Sequence, residues 1–280
     1  MASAKLIGIW SAGGSAGKSS IALGLAAELA AAKQRVLLID ADIYSPSLAL
    51  MLGLVDHSAG LAAACRIASQ DRFNQFELER LSVRVPVGSQ EFSLMTGISS
   101  SSRWPEVSAE RFENLLESIR EEFDFIICDL ASNLEVGLRQ QGSGQERNAL
   151  TQSVLKTVDQ IIAICIADQV GISRYLQQLP ELTDLRPKGE VYTLVNRLRS
   201  SVLGANAKQQ ISETLARLGQ VSPDGFIPDD STAFDLALKN ARPISLAKRG
   251  SAAKQAIELS ARTQLLGQRS NLDKRLTKLG

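Results

Sequence analysis

Short apolar runs alternate along most of the chain with longer segments whose apolar positions recur at helical spacing. The runs are Leu6–Trp10, Val36–Asp40, Phe92–Met95, Phe125–Asp129, Gln160–Ile166, Val191–Val195 and Gly225–Ile227. Several are continuously apolar, as strands covered on both faces must be. The helical segments are Lys18–Ala32, Ser108–Glu122, Gln145–Val158, Gly171–Leu182, Ala207–Leu218, Thr232–Asn240 and Ala252–Leu266. In one of them Ser108 offers a cap, and Phe112, Leu115 and Leu116 form a stripe at helical spacing. This alternation predicts an α/β fold of three layers: a mostly parallel, twisted central sheet flanked by helices, joined by right-handed crossovers. Residues 96–106 and 131–146 lack either pattern and read as loops; the second follows a strand end, where ligands bind in such sheets.

Composition narrows the class only slightly. The 280 residues suffice for one large domain, with 44% hydrophobic and 22% charged residues. The 31 basic and 30 acidic residues nearly cancel, which excludes a globally electrostatic nucleic-acid binder and leaves only a local patch open. Cys65, Cys128 and Cys165 are far apart, form no CxxC pair and read as reduced core residues, as in a cytoplasmic protein. His57 is the single histidine and reads as a surface residue. No targeting segment is evident, and no apolar run is long enough to span a bilayer.

The chemistry concentrates in the first strand–helix turn. Ser11-Ala12-Gly13-Gly14-Ser15-Ala16-Gly17-Lys18-Ser19-Ser20 has the layout of a phosphate-binding P-loop. Glycines let backbone N–H groups curl around a polyphosphate, and the helix N-terminus adds partial positive charge. Lys18 is placed to reach the terminal phosphates and Ser19 to ligate Mg²⁺. Ala12 stands where the usual pattern has glycine. Two carboxylates, Asp40 and Asp42, close the second apolar run, and their spacing puts both on one face. Asp129 closes the run Phe125–Cys128, the Walker B pattern that places an acid beside the metal.

Taken together, these elements resemble the ParA/MinD family of deviant P-loop ATPases. Asp40-Ala41-Asp42-Ile43-Tyr44-Ser45-Pro46-Ser47 looks like the Mrp branch of iron–sulfur carriers. Val195-Asn196-Arg197, Gly225-Phe226-Ile227-Pro228-Asp229-Asp230 and Ala241-Arg242-Pro243-Ile244 resemble the family's adenine-reading, base-pocket and late turn segments. The resemblance runs from about residue 5 to about residue 265 and implies a 1–266 ATPase domain with a basic 267–280 tail. It implies ATP or ADP in the cradle 13–20, with Lys18 on the β/γ-phosphates. Ser19, Asp40 and Asp129 would serve Mg²⁺, Asp42 would orient the hydrolytic water, and Asn196, Arg197, Ile227, Pro228 and Asp229 would surround the base. Two departures matter. Gly13 occupies the position of the family's signature lysine, which reaches the partner's ATP, and Ser15 replaces a usual glycine. Similar relaxation occurs in pilus-assembly members and in actinobacterial ParA-like proteins, and Arg103-Trp104-Pro105-Glu106 and Arg147-Asn148-Ala149 also resemble the actinobacterial group. The missing CxxC disfavours the Mrp branch.

The resemblance implies an ATP-driven switch that dimerises around nucleotide, hydrolyses it slowly and positions a cellular cargo: a chromosome or plasmid, the division site, or a pilus or secretion apparatus. The competing class is a nucleotide-binding scaffold with little or no turnover. Gly13 favours the scaffold; three retained carboxylates favour the switch and outweigh it. A nucleotide-dependent homodimer and an unidentified protein partner follow, with Arg147 as the candidate for a cation inserted by the partner. Attachment to DNA through Arg197, Arg199, Lys248 and Arg249, or to a membrane through the basic tail with Leu272, Leu276 and Leu279, is left open. The expected location is the cytoplasm, peripheral to nucleoid or membrane if either attachment holds.

Overall fold

The computed structural model describes residues 3–54, 60–135, 137, 146–199, 204, 206–247 and 250–268. The fold is built from β1 Lys5–Ser11, α1 Lys18–Ala31, β2 Val36–Ala41, α2 Leu48–Met51, α3 Gly60–Ala68, α4 Gln75–Leu81, β3 Val83–Val87 and β4 Gln90–Met95. A 3₁₀ turn at Ser101–Glu106 leads to α5 Ala109–Ile119, β5 Phe125–Leu130, α6 Ala149–Thr157, β6 Gln160–Ile166 and α7 Gln169–Asp184. The chain continues through β7 Glu190–Leu198, α8 Ala207–Gly219, β8 Gly225–Pro228, α9 Ser231–Lys239, α10 Ile244–Ala247 and α11 Ala252–Ser260, which runs into a π turn at Ala261–Leu265.

The strands form one eight-stranded sheet in the order β3-β4-β2-β5-β1-β6-β7-β8. Only β3 runs antiparallel to its neighbour; the other pairs are parallel. β1 lies between β5 and β6, so the crossovers diverge on either side of it, and the crevice at its carboxyl end is where a doubly wound sheet receives its ligand. Alternate residues of each central strand feed two separate cores. Leu6, Trp10, Leu37, Ile39, Ile126 and Cys128 belong to the core on one face. Ile7, Ile9, Leu38, Phe125 and Ile127 belong to the core on the other, which also contains the apolar side chains of α1. On that second face Gly24 of α1 lets α11 approach closely: a Cβ there would stand 3.1 Å from Ile257 Cγ2.

Every apolar run predicted as a strand is one. The edge strand β3 was not predicted, and its burial is partial, with Arg84 and Pro86 exposed. Pro86 cannot donate to a ladder, which confines it to an edge. The helices α3 and α4 also lie outside the predicted set. The segment 96–106, predicted as a loop, contains the 3₁₀ turn, where Arg103 pairs with Glu106 at 2.6 Å and Trp104 packs on the core. The three cysteines are free and buried, and burial pushes each thiol up to about 12. His57, Lys248, Arg249 and the tail residues from Arg269 onward lie outside the described residues. Among the described residues no helix is long and apolar enough to cross a membrane.

Candidate functional site

The loop after β1 has an unusual backbone. Gly13 (φ 81°), Ser15 (φ 64°) and Gly17 (φ 80°) are all left-handed. Ser15 thus takes the conformation of the glycine it replaces, at a cost of about 1–2 kcal/mol for an L-residue. Ala12 stays at ordinary φ, so its side chain is accommodated. Gly17 caps α1 without any side-chain hydrogen bond, and the first turn carries no acidic residue. By contrast α5, α7, α9 and α11 are closed by Ser108, Asp168, Asp230 and Ser251. The N–H groups opening α1 therefore have no capping side chain, and the helix dipole favours an anion beside them.

The carbonyls of the loop are held from behind. Ser11 Oγ and Ser132 Oγ both donate to Gly13 O, at 3.1 and 3.0 Å. Trp10 Nε1 donates to Ser132 O at 3.1 Å, tying that serine to the core. Asn196 Nδ2 donates to Ala16 O at 2.7 Å. Asn196 pairs with Ile166 at the end of the β6–β7 ladder and follows Leu194 on the α1 face, where it is buried. Where β7 shifts register against β8, between Val195 and Leu198, Arg197 has a φ of 57° and is exposed at the cavity.

The sheet register assembles the acidic centre. Asp40 of β2 pairs directly with Asp129 of β5, and both stand on the α1 face, in alternation with Leu38 and Ile127. Lys18, the first residue of α1, is buried against them. Its ammonium is 2.9 Å from Asp42 Oδ2 and 3.4 Å from Asp129 Oδ1, and it donates to Leu130 O. Burial works against that charge, but Asp129 and Asp42 outweigh it and the Lys18 pKa is raised. Asp40 is pushed up to about 8 by burial and then by Asp129, against the Leu48 N–H that pulls it down. Its Oδ2 accepts from Ser47 N at 2.9 Å and Leu48 N at 3.0 Å, so it also starts α2. Burial pushes the Asp129 carboxyl up as well, against Lys18 and the Ser19 hydroxyl.

These groups surround a cavity of about 730 Å³. Its wall includes residues 13–20, Asp42, Tyr44, Ser132, Glu135 and Arg197, with Gln178 and Glu181 from α7. Asp42 Oδ1 accepts from Tyr44 N and Ser45 N, both at 3.0 Å. Arg147 stacks on the Tyr44 ring of its own chain at 3.8 Å. Of the sequence candidates, 13–20, Asp42 and Arg197 line the cavity, Asp40, Asp129 and Asn196 stand immediately behind it, and Ile227, Pro228 and Asp229 lie outside its lining. Ser132, Gln178 and Glu181 were not candidates; no motif names them, and the fold alone brings them there.

The donor set fits a nucleotide with Mg²⁺. Asp129 has both oxygens sealed from solvent and unpaired by any well-aligned hydrogen bond, and it lies beside Ser19. Among the described residues no group of three His, Cys, Asp or Glu side chains is arranged to hold a metal ion alone. Mg²⁺ takes few protein ligands and shares the rest with phosphates and water, which is the arrangement this donor set permits.

Comparison with known proteins agrees with this geometry. Residues 3–96 match the ParA family model, described as an NUBPL iron-transfer P-loop NTPase. The chain is 26% identical over 226 residues to the septum site-determining protein MinD of Synechocystis sp., covering 81% of this chain and 76% of that protein. It is 28% identical over 266 residues to an iron–sulfur cluster carrier protein of Deinococcus radiodurans, covering 91% and 67%. Among solved structures, a ParA family ATPase from Chlorobium tepidum superposes with a TM-score of 0.75 at 19% identity, over 92% of this chain and 98% of the other. MinD from Pyrococcus horikoshii, complexed with Mg-ADP, superposes with 0.70 at 17% identity, over 96% and 99%. At these identities the structural likenesses establish the fold.

Proposed function

We propose, from the premise that the chain belongs to the ParA/MinD family of P-loop NTPases, that it is an ATP-dependent positioning switch: it binds Mg-ATP, dimerises around it and hydrolyses it slowly. The observation that carries this reading is Lys18, buried at the start of an uncapped helix and held between Asp42 and Asp129 at the floor of the cavity. A scaffold without metal chemistry gives no reason to gather three carboxylates, two of them buried, around one ammonium.

In this reading Lys18 turns from Asp42 to the β/γ-phosphates, and the N–H groups of residues 13–19 cradle them. Ser19 and Asp129 would hold Mg²⁺, with Asp40 supporting them, and the bound ion would supply neutralisation of the charge that develops on the phosphates. Asp42, once released, orients the attacking water. Asn196 keeps its Oδ1 without a partner, the one atom of that side chain left to accept from an adenine amino group. Arg197 stands on the base side, and Ile227, Pro228 and Asp229 lie on the adjoining strand end, outside the cavity lining.

Solved relatives support nucleotide and partner binding: MinD with Mg-ADP, McdA from Cyanothece with ATP, and MinD of Aquifex aeolicus in complex with MinC. Division-site placement and partition are the outputs these relatives favour. Iron–sulfur carriage is disfavoured, because Cys65, Cys128 and Cys165 are each buried and separate. Two measurements test the proposal. Sedimentation with and without Mg-ATP is expected to show nucleotide-dependent dimers. Single-turnover hydrolysis is expected to be slow in the wild type and at least tenfold slower in Asp42→Ala. A chain that is equally dimeric without nucleotide, or identical turnover in both proteins, would reject the switch.

A further inference from the structure

Position 13 is bare, and an arginine from elsewhere in the fold lies over it. A Cβ built on Gly13 would stand 3.6 Å from Arg174 Cδ and 3.9 Å from Arg174 Nη1. Arg174 belongs to α7, one turn before Gln178 and two before Glu181, the two residues through which that helix lines the cavity. Positions i, i+4 and i+7 share one helix face, so Arg174 continues the cavity wall toward the loop. Its side chain is exposed, and no ion pair or hydrogen bond occupies the guanidinium among the described residues.

The cavity is short of positive charge. Its charged lining sets Lys18 and Arg197 against Asp42, Glu135 and Glu181. Lys18 is already shared between Asp42, Asp129 and the Leu130 carbonyl. A polyphosphate entering this lining adds negative charge to a wall that carries more acids than bases. An arginine fork answers that need, since its paired N–H groups match phosphate oxygens in number and direction.

We infer that Arg174 is a phosphate-contacting residue of the nucleotide site, its guanidinium crossing Gly13 to reach terminal phosphates. The inference rests on the ATP-binding reading above and adds to it a residue that no loop motif names. It also gives Gly13 a role: a side chain there would meet the arginine stem, and φ 81° already disfavours one.

The test compares wild type, Arg174→Gln and Arg174→Lys with a control, Arg217→Gln, which removes an exposed arginine of α8 outside the cavity lining. Calorimetry on dilute protein gives the Mg-ATP and Mg-ADP dissociation constants, and sedimentation velocity gives Mg-ATP-dependent association. Arg174→Gln is expected to weaken Mg-ATP binding or Mg-ATP-dependent association at least tenfold. Arg174→Lys recovers part of the loss, Arg217→Gln stays within twofold of wild type, and all ligand-free proteins melt within about 2 °C of one another. Weakened binding places the contact on the chain's own nucleotide; weakened association alone places it on the facing one. Arg174→Gln equal to wild type in both readouts, or no worse than the Arg217 control, overturns the assignment and leaves ATP binding standing. A wild type that binds no Mg-ATP overturns the reading beneath it.

Discussion

Among the described residues Lys18 is the one cation in contact with the buried acidic centre, so replacing it should damage the fold before any nucleotide is added. Its ammonium is 2.9 Å from Asp42 and 3.4 Å from Asp129, whose side chains are 13% and 0% exposed. Lys18→Met keeps the apolar stem of the side chain and removes the ammonium, with its ion pairs and its hydrogen bond to the Leu130 carbonyl. Breaking a buried pair by removing one partner costs about 3–5 kcal/mol, because the remaining charge is left uncompensated. The 280 residues, at about 2.1 cal/mol/K each, give an unfolding entropy near 0.6 kcal/mol/K, so each kcal/mol moves the melting temperature by roughly 1.7 °C. The expected fall is therefore about 5–9 °C in nucleotide-free protein at neutral pH. Adding Asp129→Asn removes one uncompensated carboxylate and should recover at least half of it.

The pH dependence follows from the same geometry. Asp129 and Asp40 already lie above the usual carboxylate range, Asp40 at about 8, and losing the ammonium pushes both further up. An acid whose folded pKa is raised holds a proton that the unfolded chain releases. Its cost begins as pH rises past the unfolded value of about 3.9 and is complete above the folded value. The deficit of Lys18→Met should thus be smaller at pH 5 than at pH 8. Calorimetric melts of wild type, single and double variants at both pH values test this. A single variant melting within 2 °C of wild type at pH 8, or a double variant no better than the single, would refute the account. The result also governs how a lost ATP affinity in any Lys18 variant is read.

Two further outcomes are expected. Asn196→Ala leaves the buried Ala16 carbonyl without its 2.7 Å donor, which costs about 1–3 kcal/mol and should lower the melting temperature by roughly 2–5 °C; an unchanged melt would remove Asn196 as the anchor of the loop. Glu28 of α1 has its carboxyl raised by burial, opposed by Ser245 and Lys254, so its folded form carries a cost that grows as pH rises above the ordinary glutamate value. Glu28→Gln should therefore melt higher than wild type at pH 8 and show little difference at pH 4; a gain of equal size at both would point to a cause other than charge.

How much the sequence revealed depended on whether a signal was local. Continuous apolar runs marked the central strands, because strands covered on both faces admit no polar alternation. The edge strand β3 escaped because Val-Arg-Val-Pro-Val alternates around a proline that reads as a strand breaker. Helix α3 escaped because its buried positions are mostly small, alanine and glycine beside Leu61 and Cys65, and carry little apolar contrast. At the site, the loop and its carboxylates were legible because glycine, lysine and strand-end aspartates occupy fixed offsets. That Asp40 and Asp129 are register partners required the sheet. That Asn196 donates to the Ala16 carbonyl while Arg197, at φ 57°, lines the cavity required the three-dimensional structure. Arg174, Gln178 and Glu181 carry no motif, and α7 brings them to the loop only after the chain has crossed to β6.

The site is also a connected chain of polar contacts, and that bears on how a switch would work here. Lys18 holds Asp42, Asp42 holds the N–H groups of Tyr44 and Ser45, and the Tyr44 ring carries Arg147 at the entrance to α6. Tyr44 Oη also donates to Asn148 Oδ1 at 2.7 Å, a second tie between the same two segments. A phosphate that takes the Lys18 ammonium removes the ion pair of Asp42 in the same event. Asp42 then carries an uncompensated charge on the segment that positions Tyr44 and, through it, Arg147. Moving that segment requires only that the new contacts differ in free energy between the two arrangements. The first shift expected on Mg-ATP binding therefore lies at residues 42–45 and 147–148, not in the sheet. Hydrogen exchange that changed only in α1, with residues 42–45 and 147–148 unaltered, would break the link between Lys18 and the rest of these contacts.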